Sequence, residues 1–366
     1  MMPRLLAPTV ALVLLAVMLP LPVITISSQR VPTLAMLLGA VLVLLLGVVW
    51  PVSPPLALGL LWATARMLYQ GTPDRSLILL VELLALAVLY ALAAGHGPPA
   101  LWRWAGAGAL VAATLQTAVG LDQAIRAPLT APSGLLYHSN YFGLLLALAF
   151  PLLIHATRTW AAPLRLPLLG AWVVLVLAAR TRAAIAGVLV VGALALWRPL
   201  SARVGPWCRA MVLFGVAGWA LAGLQLARPA GWARLDDRLH VWQILLVAWW
   251  TNDIAWLGAG LGFWRVYALW IGSPLAGNPW FTEAHNEPLQ LLFELGPVGL
   301  GLGLWWWARI LAGARRLWRL DHDDGRAWAG VVLVGSLAIP VSAILHVPEV
   351  GLLLMVAAAR AEADRA

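Results

Sequence analysis

The chain has 366 residues, of which 62% are hydrophobic and only 11% charged, with a mean hydropathy of +0.88. A soluble domain is about half apolar and about a quarter charged, so this composition excludes an ordinary soluble globule and a disordered chain alike. All 24 basic residues are Arg, against 15 acidic ones. On a membrane protein such a net charge of +9 mostly sets topology and does not argue for nucleic acid.

The charges fall in short bursts between long apolar runs, the pattern of one polytopic bundle. The first run, 5–25, follows Arg4 and is succeeded by further runs with no small-x-small cleavage site, so it reads as an anchor rather than a removed signal peptide. At about 20 apolar residues per span, about twelve transmembrane helices are predicted. They fall near 5–25, 31–50, 55–70, 76–94, 101–120, 136–155, 164–179, 183–197, 208–226, 288–308, 327–345 and 347–360. Arg66 interrupts the third, and Glu82 lies inside the fourth, where a carboxylate is usually functional or paired. The lone Cys208 forms no intrachain disulfide.

Two Arg-rich stretches, 198–209 and 309–326, read as cytoplasmic loops. Segment 227–284 between them then lies outside, and both termini lie inside. The predicted organisation is therefore helices 1–9 over 1–226, an outer loop over 227–284, and helices 10–12 with the C-terminus over 285–366. Within the outer loop, Asp236-Asp237 gives an N-cap signal for a short interfacial helix from Arg238 to Trp250. Gly258-Ala-Gly-Leu-Gly262 follows as a flexible turn. It lacks the Rossmann spacing and a preceding strand, so it is no nucleotide fingerprint.

Three polar clusters stand out. In Glu283-Ala-His285-Asn286-Glu287-Pro288, proline belongs in the first turn of a helix, which sets the helix start near Asn286. His285 then sits at a positive helix end that keeps imidazole neutral, as a base, a donor or simply a cap. Arg180-Thr181-Arg182 places two guanidinium groups in a tight outer turn, to clamp an anion or to snorkel towards headgroups. Arg238, at the next outer helix start, is a plausible neighbour of Arg182. Tyr137-His138-Ser139-Asn140 opens the sixth span and on its own reads as caps. Asp321-His-Asp-Asp324 reads as a solvated charge run, and His346 and Glu349 flank the last outer turn. No Cys/His metal spacing, Ser-His-Asp order or Walker loop is found.

Taken in order, these motifs resemble the O-antigen ligase and O-antigen polymerase superfamily of bacterial envelope enzymes, including the protein O-oligosaccharyltransferases. The segment Ala284–Gly299 is similar to the family's HN, Leu-Gln, Glu-x-Gly-x-x-Gly signature after the long periplasmic loop. Thr181-Arg-Ala-Ala184 resembles its Ser-Arg-Gly-Ala turn. Arg238-x-x-x-Trp242 with Leu257–Phe263 resembles its Arg…Trp…Gly-x-Gly element, and His138-Ser-Asn140 with Pro151 its Asn…Leu-Pro-Leu helix. Thr181 and Ala183 depart from the commoner Ser and Gly, and the chain is short for the superfamily.

The resemblance implies an all-α, glycosyltransferase-C-like protein of the bacterial inner membrane, its active site facing the periplasm and both termini cytoplasmic. The implied donor is a glycan on undecaprenyl diphosphate; the acceptor is lipid A-core, a growing glycan or a protein, with membrane lipids as the other partners. The implied mechanism uses neither metal nor cofactor. Arg182 and Arg238 would hold the diphosphate and His285 would activate the acceptor. Arg180, Asn286, Asn140, His138, Glu283 and Glu287 would line the substrates, with Asn286 or Glu283 orienting the His285 ring. Trp249, Trp250, Trp256, Trp264 and Trp280 would stack on sugars or form an interfacial belt. Ligation or polymerisation is expected ahead of protein glycosylation, since no sizeable extension follows the last span. A lipid flippase or other transporter is the alternative from a different class, and a non-catalytic scaffold the third reading.

Overall fold

The computed structural model describes residues 49, 51–70, 74–127, 130–136, 138–201, 231–251, 256–264, 284–319, 323–342 and 347–363. Among these the chain is all-helical, without a strand. The helices are α1 (Pro54–Gln70), α2 (Asp74–His96), α3 (Pro99–Arg126), α4 (Ser139–Ala156), α5 (Ala162–Ala178) and α6 (Arg182–Ser201). They continue with α7 (Gly231–Thr251), α8 (Glu287–Arg319), α9 (Asp323–Ala338), a 3-10 turn (Ile339–Val341) and α10 (Pro348–Ala363). Four segments are long and apolar enough to cross a membrane, namely Pro99–Arg126, Ser139–Ala156, Glu287–Arg319 and Asp324–Val341. The chain is accordingly a membrane protein. The predicted spans 5–25, 208–226 and, Val49 aside, 31–50 lie outside the described residues.

Helix α4 is the centre of the bundle. Every residue from Tyr141 to Leu153 is buried, as expected for a helix apolar on all sides and enclosed by others. It packs against α9, α6, α3 and α5. Pro151 lies inside it, and Gly330 of α9 gives the ring room: a Cβ there would come within 2.8 Å of the Pro151 Cβ. Trp172 of α5 donates its indole N–H to the Leu146 carbonyl at 2.9 Å. By contrast α3 and α5 turn Trp104, Val111, Leu115, Ile125, Leu164 and Val174 outward, the apolar exterior that a lipid environment accepts.

Neighbouring helices alternate in direction, so the starts of α4, α6, α8 and α10 share one end of the bundle with the close of α9. At the opposite end Arg309 of α8 pairs with Glu362 of α10, a carboxylate only 3% exposed, and donates to the Val52 carbonyl at 3.3 Å. Arg360 lies 5.6 Å from the Trp102 ring centroid and 4.0 Å from Asp324.

Several boundaries differ from expectation. The predicted basic loop 309–326 is mostly helix, since α8 runs on to Arg319 and α9 starts at Asp323. Charges that signal a loop instead ride on α8 and the start of α9, with Arg309 paired to Glu362. Likewise α6 extends to Ser201, into the other predicted basic loop. The helix expected from Arg238 begins at Gly231 rather than at an Asp236-Asp237 cap; aspartate is only mildly unfavourable inside a helix, so the backbone runs through both positions. Glu82 lies on the exposed face of α2.

Candidate functional site

The loop before α4 is built by two glutamines of α3. Gln123 accepts from the Ser133 and Gly134 amides at 2.9 Å each and donates to the Gly134 carbonyl at 2.7 Å. Gln116, fully buried, accepts from the Leu135 amide at 2.7 Å. These four bonds carry the chain to His138, whose Nδ1 accepts from the Asn140 amide at 3.0 Å and caps α4. His138 is thus a helix cap, the reading its cluster has in isolation. Tyr137 lies outside the described residues.

Against this cap sits the Arg180–Arg182 turn. The buried Thr181 hydroxyl is 3.3 Å from the Ser139 carbonyl and 3.4 Å from both the carbonyl and Oδ1 of Asn140. One hydroxyl proton is shared among these acceptors, and Gly143 leaves space for the contact, because a Cβ there would meet Thr181 Oγ1 at 2.7 Å. The structure therefore joins the second and third clusters, which lie some forty residues apart in sequence. Arg182 opens α6, where the helix dipole adds to its own positive charge as an anion attractor.

Arg238 joins them through α9. The antiparallel register of α6 and α9 sets Gly187 beside Val334 and Val191 beside Gly330, which brings Arg182 level with the Ile339–Val341 turn. Arg238 donates from Nη1 to the Val341 carbonyl of that same turn at 2.9 Å, and α8 also packs against it. Arg238 is thus bonded to this short turn and Arg182 stands level with it along α6, though the turn carries no sequence signal beyond Pro340.

His285 is held by its neighbours on both sides. Trp242, one turn along α7 from Arg238, donates its indole N–H to the Ala284 carbonyl at 2.9 Å. The Ala284 amide donates to Gln290 Oε1 at 3.0 Å, and Asn286 Oδ1 caps α8 by accepting from the Leu289 amide at 3.0 Å. A second apolar cluster, Val241, Leu245, Ala248, Ala259, Trp264, Ala284 and Phe293, packs beneath. His285 adopts φ +51° and Arg180 φ +57°, and they are the two left-handed residues other than glycine among the described ones. Such a conformation costs roughly 1–3 kcal/mol and persists where the surroundings enforce it, often at functional sites.

Behind His285, α8 is broken. Gly296 has φ +68° and ψ −173°, dividing the helix into 287–295 and 297–319, with Pro297 opening the second half. The carbonyls freed at the break are taken up from outside: Phe293 O by the Ala259 amide and Glu294 O by the Gly260 amide, both at 2.7 Å, and Leu295 O by the Trp62 indole at 2.7 Å. Arg66, buried, donates from Nη2 to the Gly258 carbonyl at 2.6 Å. The stretch expected to be a flexible turn is largely buried and bonded to the break in α8 and to Arg66, a plug rather than a surface loop. Gly258 and Gly296 meet backbone to backbone, and a Cβ on either would overlap the other strand of chain.

Glu287 is buried in the first turn of α8, a favourable place for an acid. Glu283, Trp280 and His346 lie outside the described residues, as does the side chain of Glu349. Gln290, Glu294, Arg66, Trp62 and Trp242 were not among the predicted site residues. The signals available for them were the four-residue spacing of Gln290 and Glu294 and a charge at Arg66 within an apolar run. No family model and no curated protein matches the chain.

Proposed function

We propose that the chain is a periplasm-facing glycosyltransferase of the bacterial inner membrane, a twelve-span relative of the O-antigen ligases and polymerases that uses a polyprenyl-diphosphate-linked glycan. The observation that carries this reading is that the left-handed His285 lies inside the Ala284–Gly299 segment that resembles the superfamily's signature, and the other left-handed residue, Arg180, immediately precedes the Thr181-Arg-Ala-Ala184 turn that resembles a second of its motifs. In the proposed reaction an acceptor hydroxyl attacks the anomeric carbon of the donor sugar and its proton passes to the His285 imidazole. The bond from that carbon to the diphosphate oxygen breaks, and undecaprenyl diphosphate leaves. Arg182 and Arg238 neutralise the charge growing on the leaving group, as donors fixed beforehand in a water-poor site do best. His285, at the mouth of α8, is the group placed to take the proton as general base.

The test is reconstitution of the full-length protein in liposomes with an undecaprenyl-diphosphate-linked glycan and lipid A-core, products being read by gel and mass spectrometry. Wild type is expected to form the glycosidic product and release undecaprenyl diphosphate; His285→Ala and Arg182→Ala are expected to abolish this while remaining inserted and folded. Near-normal transfer by either variant would overturn the assigned role. In a deletion strain, lipid-linked polymer accumulating beside bare core identifies a ligase, and core capped by a single repeat identifies a polymerase. Movement of the lipid-linked glycan without a covalent product identifies a transporter.

A further inference from the structure

We infer that Gln290 and Glu294 are positioning residues that hold the His285 backbone through a relay of fixed hydrogen-bond polarity, an inference that rests on His285 being the acceptor-activating group. The relay is continuous. The Ala284 amide donates to Gln290 Oε1, Gln290 Nε2 donates to Glu294 Oε1 at 3.2 Å, and the Gly262 amide donates to Glu294 Oε2 at 2.9 Å. Both side chains are at least 97% buried, where a misdirected polar group is costly.

The two outer partners are backbone N–H groups, which only donate. Each side chain must therefore offer an oxygen outward, and the link between them needs one donor and one acceptor. An amide and a carboxylate satisfy this. Two amides leave N–H facing N–H, and two carboxylates leave oxygen facing oxygen. The order of the two is immaterial to the relay: acid at 290 and amide at 294 satisfies each of these three bonds with the polarity of the central link reversed. Arg66, bound to the Gly258 carbonyl of the same plug, brings a cation to the junction and suits one carboxylate there, not two.

What the relay fixes is Ala284, the residue immediately before His285. Its carbonyl, in the peptide shared with His285, is held by Trp242, and its amide, in the peptide before that, by Gln290, so both peptide planes that meet at Ala284 are fixed and set how the chain enters left-handed His285. Displacing a catalytic group by about 1 Å costs on the order of a hundredfold in rate.

The experiment compares Gln290→Glu, Glu294→Gln and the combined swap, which conserves charge, size and hydrogen-bond count. In the transfer assay both single variants are expected to lose about tenfold to a hundredfold in kcat with little change in the acceptor KM, and the swap to recover most of it. In parallel, the His285 ring resonance is followed in detergent-solubilised, 15N-histidine-labelled protein, assigned by its loss in His285→Ala. It is expected to move in each single variant and return in the swap. A swap no better than the singles in either readout, or singles that match wild type in both, overturns the positioning role. Wild type that forms no glycosidic product, with the resonance still moved and restored, overturns the transferase reading and leaves the relay standing.

Discussion

Replacing Gly296 with alanine probes the junction on which the site is built. The residue holds φ +68° and ψ −173°, a combination essentially confined to glycine and costing other residues about 1–3 kcal/mol. A Cβ there would overlap the Trp256 carbonyl oxygen and stand 3.0 Å from both Gly258 N and Leu257 C, so the plug has to lift away. Lifting it breaks the bonds from Ala259 to Phe293 and from Gly260 to Glu294, each worth about 1 kcal/mol net. The expected loss is therefore about 3–5 kcal/mol. Gly301, in the same helix, is the control: it is exposed, and a Cβ added to it would meet nothing within 4 Å, so alanine there stabilises by up to about 1 kcal/mol. Thermal unfolding in detergent, followed by tryptophan fluorescence, compares the two, with proteolysis of 256–264 as a local readout. If Gly296→Ala matches Gly301→Ala in midpoint and protease resistance, the account of the broken helix is wrong.

Two further outcomes are expected. Because His285 occupies left-handed backbone, His285→Gly is expected to be about 1 kcal/mol more stable than His285→Ala, while neither variant transfers glycan; equal midpoints would remove the strain argument. At the other end, Arg309→Ala strands the buried Glu362 carboxylate and is expected to destabilise by about 3–5 kcal/mol. Adding Glu362→Gln is expected to restore much of that in the same unfolding assay, and no restoration would mean the pair is not the cause.

The helices were legible where one physical rule dominates. Continuous apolar runs at 101–120, 136–155 and 288–308 became α3, α4 and α8 because a chain in lipid has to bond its own backbone. Helix ends were less legible, since Arg309, Arg315 and Arg316 mark polarity and not the end of hydrogen bonding. The glycines at 258–262 signalled conformational freedom, and all three take positive φ, while Gly258 also meets Gly296 backbone to backbone, which no local pattern foretells. Of the site, the caps at His138 and Asn286 were local and readable. The bonds from Arg66 to Gly258 and from Trp62 to Leu295 join residues 192 and 233 positions apart, a distance over which no periodicity or spacing reports.

That separation bears on biogenesis. Arg66 is made with α1, yet the carbonyl it binds is synthesised 192 residues later. A buried guanidinium left without a partner is costly, but this one lies four residues from the end of α1, where its long side chain can reach a more polar partner until Gly258 is made. The bond to the Gly258 carbonyl is then a late event, made only once α7, the plug and the first half of α8 exist together. A chain ending before that point has α1 and none of the junction, so the Arg66 bond, like that from Trp62 to Leu295, is made only in the completed chain.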